Sequence, residues 1–350
     1  MAPANIRDVA ARAGVAVSTV SVVLNAVDGA RVSDATRKRV RQAAQDLGYT
    51  PNANARNLRG AKAEMIALVA DRIATSAYGV GIVEGAQHEA WRRGVDLVVL
   101  GSDGDATRER EALARAQGMR CDGVILASAQ YEVRTPPEMA GLVMANCRPL
   151  GEPDDQTPPH AVPDEYGCGL DSAMELVRCG HRRITAIVSD SYGGHERAEG
   201  IRAGLAQAGL ELAGIVHSSP LEATAAGGLR DAEHLLTEHP DCTAILCFND
   251  RIAMGAYHWA ARSGRRIPDD LSVVGSDDIE PIAESLDPGL TTWAAPDVEI
   301  GEWAVRVCLD RDDPAWKRPR RNAFARTLTR RGSATMASAP TSQPGGAMAG

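Results

Sequence analysis

The 350-residue sequence contains no apolar run long enough to form a membrane helix. Its longest runs, such as Met65 to Ala70, extend for about six residues, where a span needs roughly 18 to 20. The amino-terminal stretch MAPANIRDVAARAG is charged where an export signal would be apolar, so the expected compartment is the cytoplasm. Cysteine pairs at metal or redox spacing are also missing. The seven cysteines (Cys121, Cys147, Cys168, Cys179, Cys242, Cys247 and Cys308) are odd in number and form no CxxC. They signal neither a disulfide framework nor a zinc site and read as buried free thiols. At 44% hydrophobic the chain has the material for two or three globular units, which excludes a wholly disordered protein.

The formal net charge of −8 is unevenly spread. Residues 1–62 hold ten Lys or Arg against four Asp or Glu, and residues 311–331 hold eight against two. Each stretch is therefore +6, while residues 63–310 between them carry −20. A basic head on an acidic body implies that only the head meets a polyanion.

The head predicts short helices. Ile6, Val9, Ala10 and Ala13 fall at helical spacing behind Asn5 as a cap, with Asp8 in the first turn, and Gly14 stops the helix. A second helix over Val17 to Leu24 buries Val20, Val23 and Leu24, and turns Val17, Ser18, Ser21, Val22 and Asn25 outward. A third helix, opened by Ser33, places Val40, Ala43, Ala44 and Leu47 on one face. This is the helix-turn-helix pattern, and small polar groups on its second helix suit phosphates and base edges in a major groove. Gly48 and Pro51 end the unit, and a segment from Asn52 to Leu58 leads to Gly60.

From Met65 onward strand-like runs alternate with helix-length segments: MIALVA, VDLVVLG, DGVILAS, ITAIVS, AILCF and LSVVGS. That alternation predicts doubly wound parallel sheets. MIALVA with its Gly-rich turn and helix recurs about 120 residues later as ITAIVS and SDSYGGHE, which predicts an α/β core of two similar lobes. A ligand would lie between the lobes, facing the carboxyl ends of the strands. The small and polar residues from Ser333 to Gly350 predict a disordered tail.

The motifs IRDVAARAGVAVSTVSVVLN, RVSDATRKRVRQAAQDLGYTPNANARNLR, GHRRI, HERAEG, FNDRIAMGA and IPDDLSVVGSDDIEPIAESLDPGLTT run in order over about residues 5 to 333. Together they resemble the lactose and galactose repressor family of bacterial transcriptional regulators. The resemblance implies a homodimeric, ligand-responsive repressor that binds a pseudo-palindromic operator in double-stranded DNA. Its core would be like a periplasmic binding protein and would take a small carbohydrate-like effector between the lobes, with no metal and no other cofactor. The domains implied are a helix-turn-helix domain at 1–50, a hinge helix and linker at 51–62, a core at 63–332 and the tail at 333–350. Within the core, the first lobe takes about 63–162 plus 291–318, and the second about 163–290 plus 319–332.

The same resemblance assigns DNA contacts to Val17, Ser18, Thr19, Ser21, Val22 and Asn25, and to Asn52, Ala55 and Leu58 of the hinge. Leu58 would be a minor-groove wedge whose unstacking cost is offset by a bent duplex. Val22 stands where the family very often has a base-reading arginine, so a different operator is expected, with Val22 against a thymine methyl. Ala16 stands where a capping serine or threonine is common. For the effector the resemblance points to Asp71, Asn146, Arg197, Asn249 and Asp277, each just past a strand end, where paired hydrogen bonds to hydroxyls or a carboxylate are possible. Asp250 reads instead as a helix cap or domain-closing contact. After LTT, Ala295 and Asp297 replace the glutamine and the apolar or aromatic group common in relatives, and ATAAGGL (223–229) lacks a sugar-stacking ring.

Other patterns carry less. GVGIVEG (79–85) has the wrong glycine spacing for a dinucleotide fingerprint and reads as a helix start. His234, His239 and Cys242 lack metal spacing and read as solvated. KRPRR (317–321) is expected near a crossover between lobes, and no carboxy-terminal leucine heptad signals tetramers. A transport-type sugar-binding protein is disfavoured by the basic head, and a catalytic use of Asp277 and Asp278 by the lack of a nucleophile, metal set or phosphate loop. A regulator with an eroded effector site is the remaining alternative.

Overall fold

Capping and apolar spacing build the amino-terminal helices as the sequence predicts. In the computed structural model, which describes residues 4–24, 32–49, 64–73, 78–151, 157–317 and 321–337, the chain divides into the units Met1–Ala63 and Glu64–Gly350. Helix α1 (Ile6–Ala13) opens with a capping box. Asn5 Oδ1 accepts from the Arg7 amide and the Asp8 carboxylate accepts from the Asn5 amide, both at 2.8 Å. Gly14 ends it in left-handed backbone at φ 64°. Helix α2 (Val17–Leu24) follows, its first turn accepted by the Ala16 carbonyl, and α3 (Asp34–Asp46) is capped by Ser33 Oγ. Val9, Val20, Val23 and Val40 close the core with four alanines, while Leu24 and Leu47 are only partly buried.

One expectation for α2 fails. Ser21 is buried at 5% exposure rather than turned outward. It lies three residues before Leu24, on that side of the helix, and its small side chain is covered where the helices pack.

In the second unit the aliphatic runs become strands, and the central ones, such as MIALVA and ITAIVS, are buried on both faces as parallel strands under helices must be, while VDLVVLG forms an edge strand with no fully buried residue. The order is β1 (Met65–Ala70), α4 (Val80–Arg92), β2 (Asp96–Gly101), α5 (Ala106–Gly118), β3 (Gly123–Arg134), β4 (Leu142–Pro149) and β5 (His160–Pro163). Then come α6 (Glu165–Arg178), β6 (Ile184–Ser189), α7 (Tyr192–Gln207), β7 (Gly214–Ser218), α8 (Ala225–Glu238), β8 (Ala244–Cys247), α9 (Asp250–Ser263) and β9 (Ser272–Asp277). The chain finishes with α10 (Ile282–Ser285), β10 (Thr291–Ala294), α11 (Asp297–Leu309), α12 (Pro314–Lys317), β11 (Arg321–Phe324) and β12 (Thr327–Thr329).

These strands form two six-stranded sheets, β11-β5-β4-β3-β1-β2 and β12-β10-β9-β8-β6-β7. The repeated MIALVA and ITAIVS are β1 and β6 and hold the same place in each. The sheets differ at one edge, where β11 runs parallel to β5 but β12 runs antiparallel to β10.

The chain crosses between lobes at Pro163–Glu165, Ala294–Asp297 and Phe324–Thr327. The last two crossings come later than the expected 290/291 and 318/319. Thr291–Ala294 pairs with β9 and completes the second sheet, and Arg321–Phe324 pairs with β5 in the first. The expected tail is also shorter at its start. Ser333 is fully buried, accepting from the Thr291 amide at 2.8 Å and donating to the Val273 carbonyl at 2.6 Å, and Ala337 donates to Cys179. Small polar residues are what that sheet end needs, because they satisfy backbone groups without bulk. The rest of the tail, 338–350, lies outside the described residues.

Close helix packing fixes where the crossings deliver their side chains. A Cβ on Gly85 would stand 2.0 Å from the Val298 carbonyl oxygen, and one on Gly301 2.2 Å from that of Ile82. Only glycine permits this contact of α4 with α11. The glycines of GVGIVEG thus serve helix packing, with Gly79 as the N-cap of α4.

Candidate ligand cleft

The carboxyl ends of both sheets open onto one cleft of about 480 Å³, within the range of small-molecule sites. Asn146, Asn249 and Asp277 line it, while Asp71 and Arg197 do not. Asn146 sits in left-handed backbone at φ 54° and donates from Nδ2 to the Ser128 carbonyl at 2.9 Å. Asn249 caps α9 through its Oδ1, leaving Nδ2 to donate across the cleft to Tyr78 Oη at 3.0 Å.

Asp71 is instead a brace, accepting from the Ala129 amide at 2.9 Å and so tying the end of β1 to β3. Arg197 is buried behind the cleft wall. Its guanidinium lies 4.3 Å from the Phe248 ring centre, donates to the Phe248 carbonyl at 2.6 Å and pairs with Glu165. It supports a lining ring rather than offering itself to a ligand. Asp250, read from sequence as a helix cap or domain-closing contact, is neither: it is a brace within the second lobe. It is fully buried, accepts from Thr292 Oγ1 at 2.6 Å and the Ile279 amide at 2.7 Å, and leaves the capping to Asn249.

The three crossings bring charge to the hinge of the cleft. Glu165 stands on the first, Asp297 on the second and Arg326 on the third. Arg326 donates to Glu165 and to Asp277, each at 2.8 Å, and Glu165 also accepts from Arg197. Burial opposes ionisation of Glu165, yet Arg197 and Arg326 outweigh it and hold the carboxyl below its ordinary range. Asp278 accepts from Arg331 at 2.8 Å and Thr329 at 2.9 Å.

Two carboxyls go the other way. Burial, helped by the negative charges of Asp277 and Asp278, pushes Asp250 up to about 7 against the hydrogen bonds it accepts from Thr292 and Ile279. Burial pushes Asp297 up to about 6, with Arg326 opposing, Asp277 and Glu299 adding and the Gly79 amide opposing.

On the far side the lobes meet through Arg148 on Tyr192 Oη at 2.5 Å, Tyr131 edge-on to Tyr192, and Arg321 on Glu196 at 2.7 and 2.8 Å. Arg321 is the last residue of KRPRR, and this contact next to the third crossing is where that run was expected.

The residues expected from sequence to contact DNA lie in the other unit. Val17 and Ser18 are exposed and Thr19 and Val22 partly so, whereas Ser21 is buried. Asn25, Asn52, Ala55 and Leu58 fall outside the described residues.

Comparison with known proteins agrees with this geometry. The family described as bacterial regulatory proteins, lacI family, matches residues 5–52, and the periplasmic binding protein-like domain matches 173–334. The transcriptional regulator CelR of Thermobifida fusca is 34% identical over 313 residues, covering 87% of this chain and 90% of its own. The ribose operon repressor of Escherichia coli K12 is 31% identical over 95% of this chain and 100% of its own. The chain belongs to the lacI family of bacterial regulatory proteins.

Among solved structures, a CelR–cellobiose complex is 30% identical, with a TM-score of 0.63 over 94% of this chain and 99% of that one. The lac repressor dimer bound to operator and an anti-inducer is 24% identical over 95% of this chain and 99% of that one, with a TM-score of 0.77, and speaks to the fold alone. These relatives are transcriptional regulators.

Sequence reasoning had not marked Tyr78, Tyr131, Glu165, Phe248 or Arg326 as part of a lacI-family cleft. Asp297 it had noted only as a departure from the family pattern. Elsewhere, the exposed Asp190, His195 and His217 lie close enough to hold a metal ion. A 3.0 Å Asp190–His195 pair and stacked imidazoles with centres 4.8 Å apart account for the grouping. His234 and His239 do not join it.

Proposed function

We propose that this lacI-family protein is a cytoplasmic transcriptional repressor, acting as a homodimer on a pseudo-palindromic operator, whose DNA affinity is set by a small polar ligand in the interlobe cleft. The observation that carries this reading is the composition of the cleft. Its walls come from both lobes and its hinge from the three crossings, so a ligand's contacts depend on how the lobes are disposed. A ligand can then bias two lobe arrangements by its differential affinity for them, which is what coupling to DNA requires.

The CelR–cellobiose complex supports a carbohydrate-like ligand. A second copy is the natural cover for the outer face of α4, where Trp91 is 85% and Val80 55% exposed in an apolar patch. In the amino-terminal unit, Val17, Ser18, Thr19, Val22 and Asn25 read the half-site, and Asn52, Ala55 and Leu58 follow the minor groove.

The test is a titration at fixed salt of the purified protein on its own upstream DNA, with and without sugars, polyols and nucleosides. Sequence-selective binding that one compound weakens or strengthens is expected, and Leu58→Ala should lower selective binding strongly and nonspecific binding little. Binding without sequence preference on every upstream fragment would overturn the repressor reading.

A further inference from the structure

The charge of the cleft is lopsided. Among the described residues its wall carries the carboxylates Glu84, Glu165, Asp277, Asp278, Glu280 and Asp297 and a single cation, Arg326. That cation is already committed to Glu165 and Asp277, and Asp278 is taken by Arg331. Asp297 has no ion-pair partner among the described residues. It is held by the Gly79 amide at the base of the cleft, where partial burial raises the cost of its charge. Two buried polar atoms on cleft-lining residues also lack hydrogen-bond partners among the described residues: Arg326 Nε, near Asp297, and Tyr131 Oη, on a residue 8% exposed at the Tyr192 and Arg321 side of the cleft.

We propose that the effector is cationic, a polyhydroxylated compound bearing an ammonium group, and that Asp297 is the specificity-determining residue that pairs with it. This rests on the reading of the cleft as the effector site. A ligand anion would meet surplus carboxylates, and the one cation among the described lining residues, Arg326, is already paired. A neutral ligand would leave Asp297 charged, unpaired and further dehydrated on binding. An ammonium removes that cost by forming a charge-assisted hydrogen bond, and hydroxyls on the same ligand reach Tyr131 Oη and Arg326 Nε. Glu84 and Glu280, both exposed at the mouth, draw cations toward the cleft.

The proposal is tested on the full chain with matched probes, by calorimetry and thermal melting at pH 7.5 and physiological salt. The probes are glucose, glucosamine and glucuronate; galactose, galactosamine and galacturonate; and cellobiose beside its diamino counterpart, the glucosamine disaccharide. The amine of at least one set should bind at least tenfold more tightly than its neutral parent, and the uronates should not bind. Asp297→Asn and, independently, Asp297→Ala should reduce that preference to less than threefold. If Asp297 merely complements the amino terminus of α11, the variants will melt lower with the preference unchanged, which overturns the proposal. Tighter binding of a neutral or anionic member also overturns it, while leaving the ligand-responsive reading intact. If no probe binds, the proposal fails, and intact operator binding in the same preparation places the fault in the cleft rather than in the repressor reading.

Discussion

Strand β4 of the first lobe and β9 of the second hold the same place in their sheets. Each turns into left-handed backbone where it meets the cleft, at Asn146 (φ 54°) in one and at Asp277 (φ 98°) and Asp278 (φ 54°) in the other. Such backbone costs roughly 1–3 kcal/mol per residue, and short polar side chains tolerate it best. The repeated kink aims a hydrogen-bonding group inward from both walls, but the first lobe's is an amide and the second's are carboxylates. The same asymmetry runs through the site. The first lobe gives Tyr78, Tyr131 and Asn146 and takes its cleft carboxylates, Glu84 and Asp297, from helices α4 and α11, while the second sets Asp277 and Asp278 at its kink and needs the guanidiniums of Arg326 and Arg331 to hold them. Topology therefore fixes where a ligand is met, and the residues at strand ends and crossings fix what is met.

The strongest way to break that comparison is to remove the charge both lobes share. Glu165→Ala leaves Arg197 and Arg326 buried without their common partner, and losing one member of a buried ionic cluster costs about 3–5 kcal/mol. Asn146→Ala, at the first lobe's uncharged kink, removes one buried hydrogen bond and should cost about 1–3 kcal/mol. Urea unfolding at pH 7 compares the two directly. If the second variant loses as much as the first, charge is not what distinguishes the hinge from the first lobe's wall.

A smaller effect separates the lobes by pH. Asp250 sits behind Asp277 and Asp278 and is raised to about 7, whereas an unfolded aspartate titrates near 3.9. Between those values the folded protein holds a proton that the unfolded chain has lost. The contribution is therefore full below about pH 4 and is lost as pH rises through 7. Asp250→Asn cannot titrate, so the stability of the wild type relative to this variant should fall, on the order of a few kcal/mol, from pH 4.5 to 7.5. Parallel stability curves for the two proteins would show that Asp250 keeps an ordinary carboxyl.

How much of this was legible in the sequence follows from the range of the forces involved. Asn5, Gly14 and Ser33 act on their own helices, and the MIALVA and ITAIVS runs report burial on both faces, so caps, strands and the repeat could be read directly. Asn249 and Asp277 stand at strand ends, which the α/β arrangement sends to one edge, and Asn146 stands at the kink within β4. Arg197 could not be placed, because its partner Glu165 is 32 residues earlier on a helix that glycines bring into contact: a Cβ on Gly169 would stand 2.1 Å from the Arg197 carbonyl. Tyr78 and Arg326 lie in a turn and a crossing, where no periodicity tells which way a side chain points, and Tyr131 lies where β3 shifts register against β4, which breaks the strand alternation. Ser21 and Ser333 were misread for a related reason. A small hydroxyl looks solvent-facing in sequence, and only packing reveals that it is covered.

The smallest effect sharpens the comparison at the first helix after each lobe's first strand. Helix α7 begins at Ser191, whose Oγ accepts from the Gly194 amide at 3.2 Å, while α4 begins at Gly79, with φ 70° and no side-chain cap. Ser191→Ala should cost about 1 kcal/mol, the usual value of a helix cap. It should speed exchange of the Gly194 amide about fivefold if that amide exchanges by local opening. The reverse change in the other lobe is not a gain. A serine at Gly79 would have to hold left-handed backbone, and its Cβ would stand 3.0 Å from Ile73 and 3.2 Å from Ala129, so Gly79→Ser should destabilise by roughly 1–2 kcal/mol. Opposite signs for the two serines, one native and one introduced, are what two lobes with one topology and different local backbone require. A stabilising Gly79→Ser would mean that the first lobe can adopt the second lobe's cap.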